Sequence, residues 1–128
     1  MITEDYVSFE TAKLLREKGF DTACNYVYRE PDEGQGYVLE KFFKPIKNSE
    51  LIDEVYAAST LQTAMKWLRE VHKIIITIDY DDDPDCEDNE RYGFSVYCPS
   101  RKVDLATYVT YEEACEAALR DCLKHLIK

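Results

Sequence analysis

Residues 67–80, WLREVHKIIITIDY, constrain this chain more than any other stretch. A helical period gives way to a strand period within a few residues. Leu61, Ala64, Leu68 and Val71 recur at spacings of three and four, which predicts an amphipathic helix from near Thr60. Ser59 and Gln62 match a capping box at its start. Ile74, Ile76, Ile78 and Tyr80 then alternate with Lys73, Ile75, Thr77 and Asp79. Three consecutive isoleucines predict a strand covered on both faces, hence a central one, with the preceding helix across its sheet.

The flanking sequence extends this pattern in both directions. Ser8 is placed to cap a helix reaching Lys18, with Val7 stapled to Ala12 and with Ala12, Leu14 and Leu15 turned inward. Gly19 suits the left-handed residue that ends a helix, and Phe20 can pack back on it. Residues 26–29 and 37–43 read as a hairpin, joined by Pro31 and two glycines within 30–36. Pro45 is expected to close the second strand. Residues 44–58 read mostly as loop, with one helical turn at Asn48 or Ser49. Beyond the isoleucines, 81–89 is a polar loop, 91–98 and 103–109 alternate as strands, and 99–102 is the turn between them. Thr110 and Glu113 match a second capping box, with Val109 stapled to Ala114. Tyr111, Ala114, Cys115, Ala118, Leu119, Cys122 and Leu126 form one stripe of the last helix.

The expected order is α-β-β-α-β-β-β-α: one α+β domain over residues 1–128, with helices packed on a mainly antiparallel sheet. At 128 residues such a domain buries a core without disulfides or metals. A similarity between 11–20 and 63–73 is that of two amphipathic helices running into strands.

Formal net charge is −10, with 26 acidic against 16 basic residues. That excludes direct nucleic-acid binding, which needs a basic surface, and it permits a basic partner. The first ten residues have neither a basic nor an apolar signal region, so no secretory signal is expected, and no apolar run approaches a membrane span. Five cysteines without a CxxC pair predict a reduced, cytoplasmic protein, with Cys115 and Cys122 inward.

The acidic loop is the sharpest local feature, with eight carboxylates in the twelve positions 79–90. Asp79, Asp81, Asp83, Asp85, Glu87 and Glu90 fall at positions 1, 3, 5, 7, 9 and 12 of a calcium loop. Pro84 stands where such a loop needs glycine, and the flanks read as strands rather than helices. A solvated, self-repelling hairpin loop is the plainer reading. His72 and His125 each sit in the last turn of a helix, where positive charge is favoured. Cys86 is exposed by its loop, but its acidic neighbours suppress the thiolate. Tyr26, Tyr28, Tyr97 and Tyr108 either pack on sheet faces or line a contact surface. No phosphate-binding, nucleophile-elbow or zinc-protease motif is present, so no catalytic residue and no cofactor is assigned.

The segments YVSFETAKLLREKGFD, WLREVHKIIITIDY and YEEACEAALRDCLKHLI resemble a group of small uncharacterised proteins of phages and prophages of gut bacteria. The resemblance covers about half of the chain and implies expression inside a bacterium. It carries no activity and no site residues. Together these features predict an acidic accessory protein that binds a protein partner or forms a homodimer. The alternatives are a nucleic-acid mimic that occupies a host enzyme's basic groove, and an enzyme with a cleft between the first hairpin and the meander.

Overall fold

A computed structural model describes residues 5–32, 34–85, 91–98 and 101–127. Its elements are α1 (Phe9–Glu17), β1 (Cys24–Arg29), β2 (Val38–Ile46), a single 3-10 turn (Asn48–Glu50), β3 (Tyr56–Ala58), α2 (Leu61–Val71), β4 (Ile75–Tyr80), β5 (Tyr92–Tyr97), β6 (Arg101–Tyr108) and α3 (Tyr111–His125). The class is α+β, as expected. The strands divide into two antiparallel three-stranded sheets, ordered β2-β1-β3 and β4-β5-β6, rather than forming one. The chain correspondingly forms two compact units, Met1–Thr60 and Leu61–Ile127.

In the first unit, Ser8 caps α1 by accepting the Thr11 amide, and Val7, Ala12 and Leu15 are fully buried. Gly19 takes φ 92°, and the Phe20 amide returns to the Leu15 carbonyl while its ring is buried. Only glycine adopts this backbone without steric cost. β1 and β2 pair as the expected hairpin, but β2 runs through Pro45 to Ile46 instead of stopping before it. Between the pairs Tyr26↔Lys41 and Cys24↔Ile46, β2 carries residues 42–45 against the single Asn25. β2 is an edge strand, and a bulge on an edge tolerates a residue that lacks an amide hydrogen. β3 falls where loop was expected, antiparallel to β1 with Ala57 opposite Val27.

In the second unit, α2 and α3 pack against β4, and α3 also against β5 and β6. α2 starts at Leu61, and the Ser59 hydroxyl donates to the Thr60 carbonyl, so Ser59 is not its cap. β4 is an edge strand, which corrects its expected central place. Ile74 is buried and Ile76 and Ile78 are half-buried, while Ile75 on the other face is 45% exposed. The strand between neighbours is β5, where Phe94, Ser95 and Val96 are all buried. Isoleucine's preference for strands drove the expectation; the polar-looking YGFSVY fills the centre because the buried Ser95 hydroxyl donates to Asp79 at 2.9 Å.

Thr110 caps α3 by accepting the Glu113 amide. The Glu113 carboxylate reaches the Val109 amide, one residue earlier than a capping box requires. Val109 is 53% exposed and forms no buried staple. The stripe Ala114, Cys115, Ala118, Leu119 and Cys122 is fully buried, with Leu123 joining it and Leu126 only half-buried.

Candidate functional site

The register of the first sheet assigns its two faces. Opposed residues share a face, so Val27 and Glu40 lie together, with Arg29 two residues along. Tyr26 and Tyr28 point the other way, toward the α1 side. The Tyr28 hydroxyl donates to the Val7 carbonyl at 2.6 Å, and Tyr26 packs on Tyr6. Phe9 of α1 stacks on Tyr37 at 4.1 Å between ring centroids and meets Tyr28 and Tyr56 edge-on. Partial desolvation there pushes the Tyr37 phenol above its ordinary range, helped by Tyr56, Glu54 and Glu30. Tyr26 and Tyr28 therefore make packing contacts within the unit.

The Val27 face carries a groove of about 500 Å³. Val27 forms its floor. Phe42 and Phe43 on the β2 bulge make one wall, and Leu51, Ile52 and Val55 make the other. The bulge brings the two rings together, with centroids 4.7 Å apart, and leaves Phe43 84% exposed. Ile52 opposite is 76% exposed. Arg29 holds Glu40 through two parallel bonds of 2.7 and 3.2 Å at the rim. A fork-to-carboxylate pair of this kind fixes both side chains and leaves little net charge. The site is thus mainly apolar, its charged lining is two cations, Arg29 and Lys41, against two carboxylates, Glu40 and Glu50, and its volume lies within the range of ligand and side-chain pockets.

The second wall has fixed ends. Asn48 is buried, donates to the Phe20 carbonyl at 2.9 Å and accepts the Ala57 amide at 2.8 Å. The Ser49 amide donates to Asp21 at 2.8 Å, and this bond holds the Asp21 carboxyl below its ordinary value. Between these anchors, the Arg16 guanidinium donates to the carbonyls of Leu51 at 3.1 Å, Ile52 at 2.8 Å and Val55. It also lies over the Tyr56 ring, 5.7 Å from the centroid. The groove was not legible in the sequence. The adjoining FFKP at 42–45 was its one signal, an aromatic pair too close together to serve a regular strand face.

The acidic loop lies in the other unit. Asp79 sits within β4 opposite Gly93 and accepts the Ser95 hydroxyl. Asp81 and Asp83 accept the amides of Asp83 and Asp85, two successive turns of the chain on its own side chains. Arg91 donates to the carbonyls of Asp81 and Asp83 and lies over the Tyr80 ring. Asp79, Asp81, Asp83 and Asp85 belong to no group of three or more acidic, histidine or cysteine side chains placed to hold a metal, among the described residues. Glu87, Glu90 and Cys86 lie outside the described residues, as do 99–100 of the expected turn.

His125 pairs with Asp121 at 4.0 Å on the surface of α3. His72 packs edge-on against Trp67, and its Nε2 is buried without a hydrogen-bond partner among the described residues. Tyr108 stacks with Phe94, and Tyr97 is half-buried. Among the described residues Cys24, Cys98, Cys115 and Cys122 form no disulfide, and Cys115 and Cys122 are inward as expected. No helix among the described residues is long and apolar enough to cross a membrane. Comparison with protein-family models, curated proteins and solved structures gives no match to this chain.

Proposed function

We propose that the chain is a small acidic accessory protein of phage or prophage origin, working in the bacterial cytoplasm by binding a protein, either another chain or a second copy. The observation that carries this reading is the groove over Val27, with Phe43 and Ile52 exposed on its two walls. Exposed large apolar side chains flanking a concave surface favour contact with another macromolecule. Val38, opposite Arg29 on the same face of this edge strand, adds apolar surface beside it. Nucleic-acid mimicry needs carboxylates spread along one face. It draws less support from Asp79, Asp81, Asp82, Asp83 and Asp85, which gather at one hairpin end. An enzyme reading draws less still. Among the described residues the clear pKa displacements fall on Asp21, Cys24, Tyr37 and Tyr111, none of which lines the groove.

The test is affinity capture from bacterial lysate at low and moderate salt, with the double variant Phe43→Asp, Ile52→Asp beside the wild type. The expected result is a stoichiometric partner that survives moderate salt and is lost with the variant, whose circular dichroism is unchanged. A monomeric protein that captures nothing, or a partner retained equally by both proteins, would overturn the reading. Capture of a nucleic-acid enzyme that disappears as salt rises would instead favour mimicry.

A further inference from the structure

We infer that residues 51–55 are a strap over the first sheet, latched by the Arg16 guanidinium, and that release of this latch regulates access to the groove. This rests on the groove being the binding site. The strap belongs to a loop whose base is closed by one side chain, since Asn48 accepts the Ala57 amide across nine residues of sequence. Its two ends are therefore fixed in buried surroundings: Asn48 and Ala57 are both buried. Between them, residues 51–55 form neither helix nor strand.

Three carbonyls of the strap, those of Leu51, Ile52 and Val55, accept from the two terminal nitrogens of Arg16. A planar guanidinium presents several donors in a fixed fork, so it sets the curvature of the segment as well as its distance. Within the strap, the Val55 amide reaches the Ile52 carbonyl at 3.4 Å, a long bond. Glu54 takes φ 67°, the left-handed region that a side chain enters at a cost. The latch thus opposes local backbone strain. When Arg16 lets go, the fixed ends keep the loop attached, but the wall formed by Leu51, Ile52 and Val55 is no longer held over Val27.

The measurement is residue-resolved amide hydrogen exchange on the full chain as wild type, Arg16→Gln, Arg16→Lys and Glu54→Gly. The Leu51 and Val55 amides, which bond to Asn48 and Ile52, report the strap; the Ala57 amide and those of β1 report its anchors. Arg16→Gln is expected to speed exchange of Leu51 and Val55 on the order of tenfold or more, as local opening becomes easier, with Ala57 and β1 unchanged. Arg16→Lys should fall between it and the wild type, because it keeps the charge and loses the fork. Glu54→Gly should act in the opposite direction on Val55, since it relieves the strain that favours opening. Unaltered strap exchange in Arg16→Gln would overturn the latch, as would an equal rise at the anchors, which would make Arg16 a support of the whole unit. If Arg16→Gln does not fold, Arg16→Lys and Glu54→Gly decide by the opposite signs of their effects. Exchange needs no partner, so the latch can fail while groove-dependent capture stands, and capture can fail while the latch stands.

Discussion

At the scale of single residues, the side chains that deviate from routine packing are the informative ones. His72 buries a ring nitrogen that has no partner among the described residues, while its ring meets Trp67 edge-on with centroids 4.7 Å apart. His72→Phe keeps the aromatic contact and removes the unsatisfied atom, so it should stabilise the protein by about 1 kcal/mol, read as a shift in the urea midpoint. A loss of stability would mean that Nε2 is satisfied in solution. Cys24 is buried at the start of β1, and desolvation pushes its thiol up to about 11 from 9.0. The unfolded chain ionises this thiol near pH 9.0 and the folded chain does not until about pH 11. The thiol's contribution is therefore complete below the lower value and is lost as pH rises through the higher one. Unfolding free energy should fall across that window more steeply in wild type than in Cys24→Ala, measured by urea titration at each pH. Equal slopes would show that Tyr37 and Tyr111, whose phenols are also raised, account for the fall.

At the scale of elements, helix boundaries were legible where a side chain closes them. Ser8, Gly19 and Thr110 all act at the ends the sequence assigned to them. The end of α2 was not legible. Lys73 takes φ 59° there, the Ile74 amide returns to the Leu68 carbonyl, and the Lys73 ammonium donates to the Glu70 carbonyl. No glycine announces this turn. Lys73→Gly should raise the melting temperature, because the left-handed backbone costs a side-chain-bearing residue about 1–2 kcal/mol, partly offset by the lost ammonium bond. A lower melting temperature would show that the ammonium bond outweighs the strain. β3 escaped notice because three residues, Tyr56, Ala57 and Ala58, are too short to display alternation. The bulge in β2 escaped because residues that leave a ladder keep the same apolar composition as those within it. The isoleucine run misled for a related reason: it reports a strand, but the neighbours of a strand are decided by pairing partners elsewhere in the chain. The groove draws on two of these illegible features, the bulge and the stretch leading into β3. Its floor is β1, one wall is the bulge, and the other hangs between the 3-10 turn and β3.

At the scale of the whole molecule, charge and groove pull recognition in different directions. A net charge of −10 makes any contact with a basic partner sensitive to ionic strength, whereas contact through Phe43 and Ile52 is screened little. The salt series in the capture experiment separates them for that reason. The division of the chain has a further consequence. Each sheet is built from a contiguous stretch, and the boundary falls between Thr60 and Leu61. During synthesis at about 5–20 residues per second, roughly 3–13 s separate the appearance of Thr60 from that of Ile127. Small mixed domains fold faster than that. Every residue of the groove precedes Ala58, so the whole of the groove's chain is synthesised before the second sheet is complete. On the proposed reading, a partner at the site of synthesis would find the groove's residues already made while the second sheet is still growing.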